Sequence, residues 1–323
     1  MAISALLAMV CPIIVFNAGK TEKIDDQIYQ KNIPKEESAQ QDVAVPDVLT
    51  ETIVVLMPEG ETVVRMLDEY LVSVVLREMP STFHSEALKA QSVVARTYAL
   101  KRKSSGLKHP GADVCTQPNC CQGYYAVDAY LRDGGTVTSL EKIKAAVNDT
   151  SNLVLTYEGM LIEATYFSCS GGTTEDAVAV WGTDIPYLQS VSSPGEENAT
   201  HYTDTVTFTA EEFAKCLGRD LPGSPSQWQE SVSYTSGGGV DQMRICGVSY
   251  SGTTLRQLLD LRSTSFVMTA VGNHITITTK GFGHRVGMSQ YGAEAMASQG
   301  KTFQEILSYY YRNTQLVSLD TLR

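Results

Sequence analysis

At 323 residues, with 43% apolar and 8% aromatic side chains, the chain holds enough material for one large or two ordinary folded domains. Its formal net charge of -11 excludes the broad basic face that phosphate neutralisation requires, so nucleic acid is not an expected partner.

From Met1 to Gly19 no side chain is charged, and Ala2 to Phe16 is apolar apart from Ser4 and Pro12. A stretch of this length lies between a signal-peptide core and a full membrane span and marks the chain for export. No small-x-small cleavage pattern precedes Gly19, which favours a retained membrane anchor over residues 1–19, and bulky Val10 argues against lipoprotein processing at Cys11. Residues 20–51 are rich in charge and glutamine and poor in aromatics, a composition that stays solvated and reads as a linker.

The folded unit is expected to start at Thr52 and run to the end of the chain, residues 52–323. Ile53–Met57 reads as a strand ended by Pro58, Glu59 and Gly60. Helical spacing follows over Val63–Arg77, where Leu67, Leu71, Val74 and Glu78 recur at intervals of four, three and four. That stripe carries Glu78 inward, and Pro80 stops the helix at Met79, leaving the carboxylate in the last turn. The negative end of the helix dipole and apolar neighbours both favour the protonated acid, the form that a general acid for a glycosidic oxygen needs. A snorkelling surface glutamate at a frayed helix end fits the same spacing.

A second helix is predicted over Ser85–Lys103, with Glu86 in its first turn and Lys101, Arg102 and Lys103 in its last. Ala87, Ala90, Val94 and Tyr98 form its apolar stripe, so Tyr98 reads as core, while Arg96 lies off the stripe, available to a carboxylate of the protein or of a substrate. Between this helix and the next strand, His109, Cys115, Cys120 and Cys121 gather within thirteen residues. Four soft ligands at that density suit tetrahedral zinc. An exported location equally suits a disulfide between Cys115 and Cys120 or Cys121.

Met160–Phe167 has strand character and enters the turn Ser170-Gly171-Gly172, with Tyr166 and Ser168 at that end. Residues 192–252 are polar and turn-rich, contain a helix-like Ala210–Leu217, and read as an accessory lobe. Ile275, Ile277 and Thr279 alternate with polar neighbours as a strand leading into Gly281-Phe282-Gly283-His284-Arg285-Val286-Gly287-Met288-Ser289-Gln290-Tyr291-Gly292-Ala293. That run mixes glycines with hydrogen-bonding side chains, a composition in which backbone approaches a ligand closely. Arg285 is expected to face solvent, with contact to a ligand carboxylate as the alternative. Helices are predicted over Ser289–Ser298 and Phe303–Tyr311. The fold class is therefore mixed α+β, a helical catalytic part against a strand-rich lobe with a substrate groove between them.

Tyr70 to Pro80, Glu86 to Ala99, Tyr166 to Thr174, Leu255 to Phe266 and residues 281–293 together resemble the stage II sporulation protein D family, in order and over roughly residues 52–317. The resemblance implies a lytic transglycosylase that cleaves the bond between N-acetylmuramic acid and N-acetylglucosamine in peptidoglycan during engulfment in endospore formation, leaving a 1,6-anhydro ring. The glutamate of the family's Glu-Met-Pro motif, which aligns with Glu78, implies the acid, and Tyr166 is implied beside it, where the alternative is a buried strand tyrosine. Arg96, Ser168, His284, Ser289, Gln290 and Tyr291 are the expected substrate-binding residues; His284 also fits a structural role fixing the glycine loop. Some relatives look like zinc binders in the loop of His109, Cys115, Cys120 and Cys121, with an adjacent histidine and cysteine where this chain has Cys120 and Cys121, so structural zinc is the expected metal and no organic cofactor is expected. Implied partners are peptide-free glycan strands and stage II sporulation proteins P and M, with the N-terminus in the mother-cell membrane and the catalytic domain outside the cytoplasm facing the forespore. Related domains also occur in amidase enhancers, which keeps open a non-catalytic, glycan-binding role, and a catalytic zinc hydrolase centre is a third reading.

Overall fold

The computed structural model describes residues 52–106 and 108–322; the expected anchor 1–19 and linker 20–51 lie outside the described residues. Among the described residues no helix is long and apolar enough to cross a membrane. Among the described residues helices and several sheets combine without a barrel, the mixed α+β class expected from the sequence.

Strand β1 (Thr52–Leu56) pairs antiparallel with β2 (Thr62–Met66), bringing Val63 and Val64 opposite Val55 and Val54. The helix predicted from Val63 therefore begins later, at α1 (Leu67–Glu78), because β-branched residues beside a free strand edge gain more from pairing than from helix. Asp68 and Glu69 sit in the first turn of α1, where the dipole favours them. Met79 is extended, as Pro80 requires. Leu67, Leu71 and Val74 are buried along the predicted stripe and Glu78 is half-buried at its end.

Helix α2 (Ser85–Ser104) is buried on nearly every side from Ala87 to Leu100. Its alanines and serines let neighbouring elements approach closely, and it forms the centre of the larger core. Strand β3 (Val114–Cys115) runs parallel to β1, setting Cys115 opposite Leu56. Two helices follow, α3 (Val127–Arg132) and α4 (Val137–Asp149). Strands β4 (Leu153–Tyr157) and β5 (Met160–Leu161) form a small sheet. The strand predicted over Met160–Phe167 is thus broken: β6 (Tyr166–Phe167) belongs elsewhere. After it comes the short α5 (Ala177–Trp181).

The second core is built on β7 (Thr203–Thr209), α6 (Ala210–Cys216), β8 (Gln229–Tyr234), β9 (Val240–Ile245), β10 (Val248–Ser251), α7 (Gly252–Leu258), β11 (Phe266–Val271) and β12 (His274–Lys280). Phe213, Trp228, Met243, Leu255, Phe266 and Ile277 fill it. This lobe reaches past the stretch 192–252, since alternating Ile275 and Ile277 pack into the same core. The chain then returns to the first core through β13 (Met288–Ser289), α8 (Gln290–Ser298), α9 (Phe303–Tyr310) and β14 (Gln315–Ser318), which pairs with β4.

A buried ion pair ties the two halves. Arg285 was expected to face solvent but is 1% exposed. It donates to Ser170 O at 2.7 Å, Thr173 O at 2.7 Å and Gly237 O at 2.6 Å, and pairs with Glu175 at 3.1 Å. Glu175 in turn accepts from Gly239 N and Thr235 Oγ1, both at 2.9 Å. One guanidinium thus pins the turn between β8 and β9 to the glycine-rich segment.

Candidate active site

Four segments converge at the carboxyl of Glu78: the end of α1, the loop 122–125 after the cysteines, β6, and the segment from β13 into α8. Strand β6 lies parallel to β13, with Tyr166 opposite Met288 and Phe167 opposite Ser289. Gly287 makes this approach possible. Its φ is +86°, and a Cβ there would stand 2.1 Å from Thr165 O.

The carboxyl of Glu78 is ringed by donors. Gly123 N donates to Oε1 at 2.6 Å, and the Tyr166 hydroxyl and the Gln290 amide face it. Burial pushes the acid above the usual carboxylate range, while those donors and Arg77 pull the other way. The result is an acid in a desolvated setting whose ionised form is nevertheless supported. Behind it, Tyr70 donates to Gln122 Oε1 at 3.2 Å and Gln122 Nε2 donates to Tyr166 at 3.2 Å. Burial holds the hydroxyls of Tyr70 and Tyr166 well above the usual phenol range, so both remain donors.

Of the residues expected from the sequence, Glu78, Tyr166 and Gln290 come together directly. Gln290 Nε2 also reaches Gln91 Oε1 of α2 at 3.5 Å. Ser168 lies two residues along from Tyr166; its carbonyl accepts from Tyr291 N at 3.0 Å, and its half-buried hydroxyl has no protein partner among the described residues. Tyr291 is half-buried, packed edge-on against Phe83 with centroids 5.0 Å apart, its hydroxyl 3.3 Å from Thr200 Oγ1. Ser289 is fully buried and is the N-cap of α8, accepting from Gly292 N at 3.2 Å.

His284 is engaged by the protein. Its Nδ1 accepts from Val286 N at 3.1 Å, and it lies between the rings of Phe167 and Trp181. Burial lowers its pKa to about 4, keeping it neutral. This geometry fits the structural alternative, a clamp between the glycine loop and β6.

Arg96 is buried and engaged by the protein rather than gathered with Glu78. It is 1% exposed, and it donates to Thr150 O at 2.7 Å and Val147 O at 3.2 Å and pairs with Asp68 at 2.9 Å. It satisfies the orphan carbonyls at the C-terminus of α4, the end where a cation is favoured, and ties them to the first turn of α1. Spacing placed it off the alanine stripe, but a helix buried all round has no solvent side for it to occupy.

His109, Cys115, Cys120 and Cys121 offer one ligand atom each, all within 4.8 Å of one another. His109 Nε2 is 3.4 Å from Cys121 Sγ and 3.6 Å from Cys120 Sγ. The six cysteines among the described residues carry free thiols. The neighbouring thiols of Cys115 and Cys121, and Lys108, favour the Cys120 thiolate. Donor separations of this size and an N/S donor set fit a closed tetrahedral metal site. Its bearing on Glu78 is covalent, since Cys121 is followed at once by Gln122 and Gly123, the two residues that reach Tyr166 and the carboxyl.

Sequence reasoning missed Tyr70, Gln122, Gly123 and Gln91. The signal available for Gln122 and Gly123 was their adjacency to the cysteine pair.

Comparison with known proteins finds relatives of this chain. A SpoIID family model described as "Stage II sporulation protein" matches residues 60–157. The chain is 42% identical over 258 residues to stage II sporulation protein D of Bacillus subtilis (strain 168), an alignment that takes in 79% of this chain and 75% of that protein. It is 40% identical over 259 residues to stage II sporulation protein D of Bacillus amyloliquefaciens, with the same coverage. A more distant relative, at 28% over 77% of this chain and 40% of its own length, is a B. subtilis protein named amidase enhancer.

Proposed function

The chain belongs to the stage II sporulation protein D family, and on that premise we propose that it is a peptidoglycan lytic transglycosylase acting in engulfment during endospore formation. The observation that carries the reading is Glu78, a desolvated carboxyl at a helix end held by Gly123 N–H and faced by Tyr166 and Gln290. Protonated Glu78 gives its proton to the oxygen joining N-acetylmuramic acid to N-acetylglucosamine as the C1–O bond breaks. The resulting carboxylate then accepts the proton of the muramic C6 hydroxyl as that oxygen bonds C1, closing the 1,6-anhydro ring. One proton cycles and no water enters, so a single acid suffices where hydrolysis takes two carboxylates. Donors aimed at the carboxylate stabilise it between the two steps.

Zinc held by His109, Cys115, Cys120 and Cys121 would fix the loop that delivers Gln122 and Gly123, a structural contribution. Ser168, two residues along from Tyr166, and Tyr291, next to Gln290, are the proposed glycan contacts. The proposed setting is an N-terminal membrane anchor joined by the linker 20–51 to an extracytoplasmic catalytic domain facing the forespore, with peptide-free glycan strands as substrate and stage II sporulation proteins P and M as partners.

The test is mass spectrometry of products after the chain and its Glu78→Gln variant meet peptide-free strands. Anhydro-muramyl ends from the first and none from the second are expected; reducing ends would overturn the mechanism. The likeness to a protein named amidase enhancer favours one alternative, a glycan-binding stimulator of a partner amidase. Glycan binding without product from either protein would select it.

A further inference from the structure

The hydrogen bonds behind Glu78 have a direction. Tyr70 is fully buried and stacked on Tyr124, with centroids 6.0 Å apart, and its hydroxyl donates to Gln122 Oε1 at 3.2 Å. In this arrangement Oε1 of the Gln122 amide faces Tyr70 and its Nε2 faces Tyr166. With Oε1 toward Tyr70, Nε2 donates to the Tyr166 oxygen at 3.2 Å. The Tyr166 oxygen is thereby an acceptor toward Gln122, which leaves its own proton for another acceptor, and the Glu78 carboxyl is the group it faces. Turned the other way, Gln122 would accept the Tyr166 proton and Glu78 would lose a donor. Gln122 is 1% exposed, so solvent does not compete for these bonds.

Resting on the reading of Glu78 as the general acid, we propose that Gln122 is a positioning residue of the reaction, keeping the Tyr166 hydroxyl proton aimed at Glu78, with Tyr70 as the pin that orients its amide. Gln122 carries no charge, so it acts through direction alone. The charged and titratable groups that face Glu78 are Arg77 on its own helix and Tyr166 on β6; Tyr70 stands behind Tyr166, and Gly123 and Gln290 supply uncharged donors. With the Tyr166 donor held in place, the carboxylate that exists between protonation of the leaving oxygen and deprotonation of the C6 hydroxyl is stabilised. Without it, that carboxylate is less favoured and the acid holds its proton to higher pH.

The experiment measures turnover of peptide-free glycan strands across pH for the chain and for Gln122→Met, Gln122→Glu, Tyr70→Phe and Glu78→Gln. Gln122→Met is expected to lower kcat roughly 10- to 100-fold with KM within about twofold, and to move the alkaline limb of the profile to higher pH. Gln122→Glu is expected to move it farther, because a carboxylate takes the Tyr166 proton and adds a negative charge behind the site. Tyr70→Phe keeps the ring packing and shifts the limb in the same direction by less. A role in folding alone would reduce the amount of active protein and leave the limb in place, and that result overturns the proposal. If Gln122→Met does not fold, Tyr70→Phe decides by the same limb. An active Glu78→Gln variant overturns the parent reading, whereas an inactive one beside unshifted Gln122 and Tyr70 variants overturns the positioning role by itself.

Discussion

Adding one methyl group at Gly123 should disable the acid without disturbing the fold. Gly123 N lies 2.6 Å from Glu78 Oε1, and a Cβ on Gly123 would stand 2.8 Å from that oxygen and 2.6 Å from Arg77 Cγ. Carbon and oxygen settle at roughly 3.5 Å, so the carboxyl must retreat by about 0.7 Å. Both obstructing atoms belong to side chains, and Arg77 is exposed, so they can move while the backbone stays. Removing a backbone donor's grip on a carboxylate costs about 1.5 to 3 kcal/mol, and a displacement approaching 1 Å in a catalytic group can cost on the order of a hundredfold in rate. Gly123→Ala is therefore expected to lower kcat about 10- to 100-fold. Its melting temperature should stay within a few degrees, because alanine also restricts the unfolded chain. Weakening a donor that favours the ionised acid should in addition move the alkaline limb to higher pH. Counting anhydro-muramyl ends over time, beside a melting curve, reads all of these. Wild-type turnover in a folded Gly123→Ala variant would refute the assignment of Gly123 and with it the geometry given to Glu78.

Zinc should copurify at about one per chain, and Cys115→Ser should lower both zinc content and turnover; a metal-free chain with full activity would remove the metal from the account. Glu175→Gln leaves the buried Arg285 guanidinium without its counter-charge and should cost about 3 to 5 kcal/mol in denaturant unfolding, and an unchanged midpoint would contradict the role given to the pair. Arg96→Lys should lower stability by roughly 1 to 3 kcal/mol through unpaired carbonyls of α4 while KM for glycan stays the same; a raised KM with intact stability would return Arg96 to the substrate. His284 has its pKa lowered to about 4 by burial, so its contribution is fully present above the ordinary value near 6.5 and is lost as pH falls from there towards 4, amounting to at most about 3 kcal/mol. His284→Asn should flatten that part of the stability profile relative to the parent, and parallel profiles would show that His284 does not titrate on unfolding.

The helix end was readable in advance because two local rules agree there: an apolar stripe that carries Glu78 inward and a proline that fixes where the stripe stops. Where one rule was read alone, the structure departs from it. Val63 and Val64 fit a helical period, yet they pair into β2 because β1 offers them a partner. Arg96 is off its helix's stripe, yet α2 is enclosed on all sides and its off-stripe face meets α1 and α4. Arg285 and Glu175 find each other across 110 residues, a pairing no local pattern encodes. Gln122 and Gly123 have neither period nor charge to mark them. Their importance arises from position: a cluster of four ligand atoms fixes the loop just before them, and the loop then meets α1 and β6. In the mechanism proposed here, the acid is tuned from behind by a segment that never touches the sugar. Substitutions in the His109–Cys121 loop should accordingly register in the pH profile of the reaction before they register in glycan binding.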